Sequence, residues 1–295
     1  MTARRAPPNL SAVYVTLIAA AALWGTAMGL LVPRAGYRLS VGTDEPWRGT
    51  CSAGHPFTGP ARGWLGGPRC PSCAATPPAG TAETPPPTDA APPARTEEAP
   101  SPARTEEPPR PAPAPVTAPV TVGITGLACA VLAAATGPRP ELAVWLILAP
   151  FAVLLALVDR TVHRLPDRLT LPLAAAAAVL LGAVAPLPDA AGSWPTALLG
   201  GLALGAGYFV LFLIHPNGLG FGDVKLALSL GVVLGWYGWG VLLVGAFAGF
   251  LFGSVYGVGL MLLGRADRKT AIPFGPFMIG GALAGLLLGA LAAGA

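Results

Sequence analysis

The sequence predicts an all-α, polytopic membrane protein with about eight transmembrane helices and a small cytoplasmic Cys-rich loop. Of its 295 residues, 53% are hydrophobic and only 11% are charged, and the mean hydropathy is +0.62. A soluble domain usually carries about twice that share of charged residues. From Pro119 onward, apolar runs of roughly 20 residues, the length that crosses a bilayer, follow one another almost to the end.

The first apolar run, residues 10–32, is too long for the apolar part of a signal peptide and lacks a persuasive cleavage site. It therefore predicts a retained transmembrane helix. Turn signals rich in Gly and Pro separate the later runs. The further helices are expected at about residues 120–136, 141–158, 169–186, 194–214, 224–236, 237–263 and 276–293.

Composition divides the chain into four parts. The first helix, 1–33, is followed by a cytoplasmic Cys/His domain, 34–73, a Pro-rich linker, 74–118, and the membrane domain, 119–295. The linker is rich in Pro, Ala, Thr and Glu and repeats Ala-Arg-Thr-Glu-Glu imperfectly. Such a composition cannot bury a core, so this segment is expected to be disordered and partly extended.

The Cys/His domain contains a candidate zinc site. Cys70-Pro-Ser-Cys73 has the C-x-x-C spacing at which two thiolates reach one tetrahedral metal ion, and Cys51 and His55 would supply the other two ligands. A redox pair of cysteines has the same spacing and stays open as an alternative. A cytoplasmic location disfavours a disulfide.

Basic residues concentrate in alternate loops, and this asymmetry predicts the orientation of the chain. It places the Cys/His domain and the loops 159–168, 215–223 and 264–273 on the cytoplasmic side. The formal net charge of +4 is thus explained by membrane orientation. We expect the lipid bilayer as a partner and no nucleic acid.

Two aspartates lie at the edges of apolar runs, where a carboxylate is costly and suggests function. Asp159 closes the run 142–158, and Asp223 stands beside a second run. The predicted orientation puts both at one membrane face. Close carboxylates cannot both ionise easily, so one can take a proton from water while the other hydrogen-bonds a carbonyl oxygen. The pair predicts peptide hydrolysis without a metal or a covalent intermediate.

The segment around Asp223 reads Gly-Phe-Gly-Asp-Val-Lys. Gly220 and Gly222 lack side chains, which would let backbone and substrate approach the carboxylate. Lys225 is expected to snorkel or to balance negative charge rather than to act as a base.

The acidic residues near Asp159 also have a purely structural interpretation. Asp159 and Asp167 would be helix-end residues that form ion pairs with Arg160, Arg164 or Arg168. For Asp167, which follows a proline, we expect a helix N-cap.

Three segments together resemble the signatures of the prepilin peptidases, also called type IV leader peptidases. They are Asp-Arg-Thr-Val-His-Arg-Leu-Pro-Asp at 159–167, Gly-Phe-Gly-Asp-Val-Lys at 220–225 and Ile-Pro-Phe-Gly-Pro-Phe at 272–277. Their order and spacing also fit, and the resemblance covers the chain from about residue 120 to its end.

This resemblance implies a multi-pass aspartic protease of the inner (plasma) membrane, with its active site facing the cytoplasm. Such enzymes cut the short basic leader from type IV prepilin or pseudopilin precursors, and these are the implied partners. Asp159 and Asp223 would be the catalytic pair, working without a cofactor. Residues 272–277 would form a structural loop near it.

Many members also methylate the new amino terminus, an activity associated with two C-x-x-C pairs in the amino-terminal cytoplasmic region. Here Cys51 and His55 replace one pair and a Pro-rich linker follows. These departures count against S-adenosylmethionine binding and N-methylation.

Other functions remain open on sequence alone. A proton-coupled transporter using intramembrane aspartates would have inverted repeats or broken helices, and the sequence indicates neither. A presenilin-type intramembrane protease shares the Gly-x-Gly-Asp element, but the segments 165–167 and 272–275 favour a leader peptidase. A structural assembly subunit is a third alternative. The sequence does not decide which precursor is cut or whether the chain forms homo-oligomers.

Overall fold

The computed structural model describes residues 10–42, 45–64, 66, 70, 72–73, 118–216, 218–265 and 272–294. Except for Ala118, the predicted linker lies outside these residues. The described part contains ten helical segments and no strand beyond one isolated bridge. They are α1 (Leu10–Gly29), α2 (Val32–Leu39), α3 (Pro60–Gly63), α4 (Ala118–Thr136), α5 (Glu141–Val162), α6 (Asp167–Val184), α7 (Trp194–Ile214), α8 (Phe221–Gly235), α9 (Trp239–Leu262) and α10 (Gly275–Ala292).

Seven stretches of the described chain are helical, long and apolar enough to cross a membrane. One is the continuous stretch formed by α1 and α2, and the others are α4, α5, α6, α7, α9 and α10. In a bilayer each backbone polar group must be paired within its own segment, so such apolar runs form helices. The result confirms the predicted all-α membrane class.

The eighth apolar helix, α8, is shorter than the others. It has 15 residues, which span about 22 Å, whereas the hydrocarbon core of a bilayer is about 30 Å thick. It begins at Phe221 rather than near residue 224. Asp223 therefore lies inside the first turn of the helix instead of ahead of it.

Glycines allow α8 and α1 to approach their neighbours closely. A Cβ atom at Gly200 of α7 would lie 2.7 Å from the carbonyl oxygen of Gly231 of α8. Likewise, a Cβ atom at Gly29 of α1 would lie 2.9 Å from the Cα atom of Val122 of α4. Small residues at such contacts are typical of helices that associate in a membrane, where van der Waals packing drives association.

A buried apolar cluster fixes the end of the bundle where α5 ends and α8 begins, which we call the aspartate end. Side chains from α5, α7, α8, α10 and the α5–α6 turn pack together there. They are Leu155, Leu165, Tyr208, Val224, Leu226, Ala227 and Met278. Because the cluster contains residues of both α5 and α8, it holds the ends of these two helices in a fixed relation.

At the opposite end of the bundle, α5 begins with a fully buried carboxylate, Glu141. Arg139 Nη1 lies 3.9 Å from Glu141 Oε1, and the Tyr237 hydroxyl donates to the same oxygen across 3.3 Å. Arg139 also donates to the carbonyl oxygens of Thr136 and Ala290, at the ends of α4 and α10. A guanidinium suits these positions because helix C-termini carry partial negative charge.

Candidate active site

Asp159 lies in the last turn of α5 and is only 4% exposed. The helix ends there because His163 adopts the left-handed conformation, with φ of 53°. The His163 N–H donates to the Asp159 carbonyl oxygen across 2.8 Å. The chain then turns through Pro166 into α6, which leaves the Asp159 side chain buried at the aspartate end.

The amino terminus of α10 contacts this carboxylate directly. The backbone N–H of Gly275, the first residue of α10, donates to Asp159 Oδ2 across 2.9 Å. The partial positive charge at a helix amino terminus favours a carboxylate in this position. Residues 272–277 therefore do more than form a turn, since one of them holds a candidate catalytic group.

Asp223 lies in the first turn of α8 and is 8% exposed. Its Oδ2 accepts the Gly220 N–H across 3.2 Å, and its own N–H donates to the Gly220 carbonyl oxygen across 3.0 Å. A Cβ atom at Gly222 would lie 3.1 Å from Leu165 Cβ. Gly222 thus lets α8 begin tightly against the turn that follows Asp159.

The fold brings the two aspartates to the same end of the bundle, where their carboxylates interact electrostatically. Within the described residues, neither forms an ion pair, so the alternative of an Asp159 ion pair with Arg160, Arg164 or Arg168 is not observed. The His163 side chain interacts electrostatically with Asp159 but forms no ion pair with it. Two buried, interacting carboxylates favour a state in which one of them is protonated.

Lys225 forms an ion pair with Asp167, and this pair connects the first turns of α8 and α6. Lys225 Nζ lies 2.6 Å from Asp167 Oδ1 and 4.6 Å from the centroid of the Phe221 ring. The predicted N-cap role of Asp167 is wrong: Pro166 occupies the N-cap position, and no side chain caps the helix. The lysine balances Asp167, and Asp223 forms no ion pair within the described part of the chain.

Aromatic side chains pack beside the two carboxylates. Tyr208 of α7 is buried and interacts electrostatically with Asp223. Its ring centroid lies 5.5 Å from that of Phe250, which in turn lies 5.1 Å from that of Phe274. Tyr208 lies in a continuous apolar run and no motif marks it, so the sequence does not predict its place beside Asp223.

The four side chains predicted as zinc ligands come together in the structure. One ligand atom from each of Cys51, His55, Cys70 and Cys73 lies within 4.8 Å of all the others. A tight turn brings the first two together, because the Cys51 N–H donates to the His55 carbonyl oxygen across 2.9 Å. The Sγ atoms of Cys51 and Cys73 are 3.6 Å apart, and His55 Nδ1 is 3.2 Å from the Cys73 sulfur. This cluster can bind a metal ion.

Hydrogen bonds change the acidity of two of these thiols. A backbone hydrogen bond from Cys73 is the main cause that lowers the pKa of Cys70 to about 7, so this thiol readily becomes a thiolate. A side-chain hydrogen bond with Cys51 is the main cause that raises the pKa of Cys73 to about 11.

Stacking contacts attach the Cys/His segment to the aspartate end of the bundle. The Arg38 guanidinium of α2 lies 4.0 Å from the Trp64 ring centroid, and the Arg168 guanidinium of α6 lies 5.4 Å from that of Trp47. At the end of α2, the hydroxyls of Ser40 and Thr161 are 2.6 Å apart. Thr161 is two residues beyond Asp159, so the segment lies close to the candidate site.

The sequence from residue 146 to residue 262, which includes both aspartates, matches the type IV leader peptidase family. Leader peptidase HopD of Escherichia coli is 37% identical over 151 residues, which cover 48% of this chain and 88% of that relative. The chain belongs to the type IV leader peptidase family.

Other relatives are longer than the matched part. Prepilin leader peptidase/N-methyltransferase of Aeromonas salmonicida is 34% identical over 170 residues, which cover 54% of each chain. The protein of the same name from Pseudomonas aeruginosa is 34% identical over 127 residues, or 42% of each. The chain thus spans about half the length of these relatives. No solved structure matches the chain closely.

Proposed function

We propose that the chain is a membrane aspartic endopeptidase that removes the leader peptide from type IV prepilin-like or pseudopilin precursors. The single observation that carries this proposal is the buried, interacting pair Asp159 and Asp223, which forms no ion pair with any described residue. Family membership and the names of the relatives support the substrate class.

In the proposed mechanism, a water molecule lies between the two carboxyl groups. The ionised group removes a proton from the water, which attacks the scissile carbonyl carbon, while the protonated group donates a hydrogen bond to the carbonyl oxygen. The proton then passes to the departing amine as the C–N bond breaks. The N–H groups of Gly275 and Gly220 hold one oxygen of each carboxyl group in place during these steps.

The proposed location is the inner membrane, with the aspartate end facing the cytoplasm. The basic residues Arg34, Arg38, Arg160, Arg164 and Arg168 belong to this end, and an excess of Arg and Lys marks cytoplasmic segments. In this orientation Glu141 lies at the external end of α5.

The proposed activity does not include N-methylation. Two of the longer relatives carry methyltransferase in their names, but the family match begins at residue 146 and leaves the Cys/His segment outside. The relative that is covered over 88% of its length is named only as a leader peptidase. The departures of the Cys/His domain from two C-x-x-C pairs are the ground for leaving N-methylation and S-adenosylmethionine out of the proposal.

Replacement of each aspartate tests the peptidase proposal. A prepilin would be co-expressed with the unaltered chain, Asp159→Asn or Asp223→Asn, and leader removal would be followed by the mass of the product. Both variants should abolish cleavage because each removes one of the two carboxyl groups. Asp189→Asn, at an exposed turn far from the site, serves as the control. Persistent leader removal in either site variant would refute the dyad.

We propose that Cys51, His55, Cys70 and Cys73 hold a structural zinc ion. The ligand atoms of Cys51, His55 and Cys73 lie 3.2 to 3.6 Å from one another, which agrees with the edges of a tetrahedron whose bonds are about 2.0–2.3 Å long. The ion would fix the Cys/His segment and take no part in peptide hydrolysis. Its expected role is to support the contacts between this segment and α2 and α6.

Metal analysis of the purified chain tests this assignment. We expect about one zinc ion per chain, and loss of that zinc in Cys70→Ser/Cys73→Ser because two of four ligands are removed. Cys129→Ser, which changes a cysteine buried in α4, is the matched control. Equal zinc content in the double variant and the control would exclude the site.

A further inference from the structure

An apolar groove runs along the face of α5 that meets α4, α8 and α10. It encloses a cavity of about 430 Å³. Along α5 it extends from Trp145 to Arg160, a distance of roughly 22 Å at the rise of an α-helix. Its walls are almost entirely aliphatic, and among the described residues no acidic side chain lines it. The groove therefore suits an apolar ligand.

Two polar groups mark the aspartate end of this groove. Arg160 is exposed and forms no ion pair with any described residue. Thr121 is 3% exposed, and its hydroxyl has no hydrogen-bond partner among the described residues. Both line the groove, and both belong to the aspartate end, because α4 begins and α5 ends there. Within the described residues, the unpaired cation of Arg160 and the unpaired hydroxyl of Thr121 thus lie at one end of the apolar groove.

This polarity matches one class of membrane molecule. A phosphate group accepts charge-assisted hydrogen bonds from a guanidinium and is recognised by it geometrically. Basic sites between transmembrane helices recognise anionic lipid headgroups. We propose that the groove binds an anionic phospholipid, with its phosphate at Arg160 and Thr121 and one acyl chain along α5.

The size of the groove favours a single chain over a helix. An α-helix with its side chains is about 10–12 Å wide, so a 22 Å length of it occupies roughly 2,000 Å³. The cavity of about 430 Å³ lies in the range of about 300–1,000 Å³ that is typical of pockets for single small ligands. A linear acyl chain therefore fits better than an apolar helix of a protein substrate.

The lipid site is independent of the proposed peptidase activity, although Arg160 directly follows Asp159 in the chain. The full chain would be reconstituted in nanodiscs of phosphatidylcholine, alone or mixed with phosphatidylglycerol. Native mass spectrometry would then count the lipid that remains bound after release from the disc. We expect about one phosphatidylglycerol per chain, retained in preference to phosphatidylcholine.

Matched variants test whether Arg160 and Thr121 each bind the lipid phosphate. Arg160→Gln should lower the retained phosphatidylglycerol by about tenfold, the equivalent of one charge-assisted hydrogen bond. Arg164→Gln removes an exposed arginine of the same face and should have no effect. Thr121→Val should weaken retention, whereas Thr125→Val should not, because the Thr125 hydroxyl already donates to the Thr121 carbonyl oxygen.

Filling the groove tests the path of the acyl chain. Ala152→Phe should eliminate bound lipid of both kinds, and Ile279→Phe provides a second test if the first variant does not fold. Equal retention in Arg160→Gln and Arg164→Gln would overturn the proposal, as would an unchanged lipid count in a folded groove-filling variant. A groove-filling variant that keeps its lipid but raises the KM for a prepilin would assign the groove to the protein substrate instead.

Discussion

The backbone N–H of Gly275 donates to Asp159 Oδ2 across 2.9 Å and so joins two residues that are 116 positions apart in the chain. A Cβ atom at residue 275 would lie 2.7 Å from that oxygen, closer than van der Waals contact allows. Only glycine therefore lets the amino terminus of α10 meet the carboxylate. This contact gives the Ile-Pro-Phe-Gly turn a direct part in the geometry of the candidate site.

Replacement of this glycine should impair catalysis more than folding. In Gly275→Ala the new methyl group displaces the Asp159 carboxylate, and a displacement of about 1 Å in an active site can lower the rate by about 100-fold. We expect a fall of that order in kcat for prepilin cleavage, measured with purified protein in detergent.

Gly280→Ala is the matched control for this prediction. It lies in the same helix, and its Cβ atom would meet Phe252 at 3.7 Å, an ordinary contact. Its activity should stay close to that of the unaltered chain. A Gly275→Ala variant that folds and cleaves as fast as this control would show that the contact is dispensable.

The ion pair between Lys225 and Asp167 should support the position of Asp223. Lys225→Met or Asp167→Asn frees the first turn of α8 from that of α6. Because the Asp167 side chain is 63% exposed, the pair contributes at most about 1 kcal/mol. We expect each change to reduce kcat/KM for prepilin cleavage by about fivefold, the equivalent of that energy.

Charge reversal distinguishes the ion pair from a general effect of substitution. Lys225→Asp/Asp167→Lys places opposite charges at the same two positions and should recover part of the lost activity. Kinetics of the double variant beside Lys225→Asp and Asp167→Lys alone would reveal the coupling. Losses that simply add in the double variant would argue against a role for the pair.

Hydropathy was sufficient to predict the membrane class and the positions of most helices, because an apolar run of about 20 residues has few other stable states in a bilayer. It placed the start of α8 less well. The helix was expected to begin at about residue 224, yet Phe221 begins it. Tertiary contacts, such as that of Gly222 with Leu165, decide where the helix starts, and these contacts are not visible in the local sequence.

The spacing in the sequence predicts one cluster of Cys51, His55, Cys70 and Cys73. The structure brings their ligand atoms together. The Asp167–Lys225 pair was not foreseen, because a prediction based on local pattern made Asp167 a cap. Asp167 instead forms an ion pair with Lys225, which is far from it in the sequence. The assignment of Asp159 and Asp223 as catalytic residues stays a prediction.

Glu141 had no motif to distinguish it from any acidic residue at the start of a helix, yet it is fully buried. Glu141→Ala would leave the half-buried Arg139 guanidinium without its carboxylate. Breaking a buried pair costs about 3–5 kcal/mol, and the 14% exposure of Arg139 places this pair at the lower end of that range. We expect the thermal unfolding temperature of the purified chain to fall by roughly 5–10 °C, measured by the loss of helical circular dichroism.

Leader cleavage should be affected very little at temperatures where Glu141→Ala is folded, because Glu141 and Asp159 lie at opposite ends of α5, about 27 Å apart along the helix. Arg139→Ala/Glu141→Ala removes both charges and should be less destabilised than the sum of the two single variants. Additive losses would mean that the two side chains act separately, Arg139 through the carbonyl oxygens of Thr136 and Ala290 and Glu141 through Tyr237. A selective loss of cleavage in folded Glu141→Ala would instead connect the opposite end of α5 to the candidate active site.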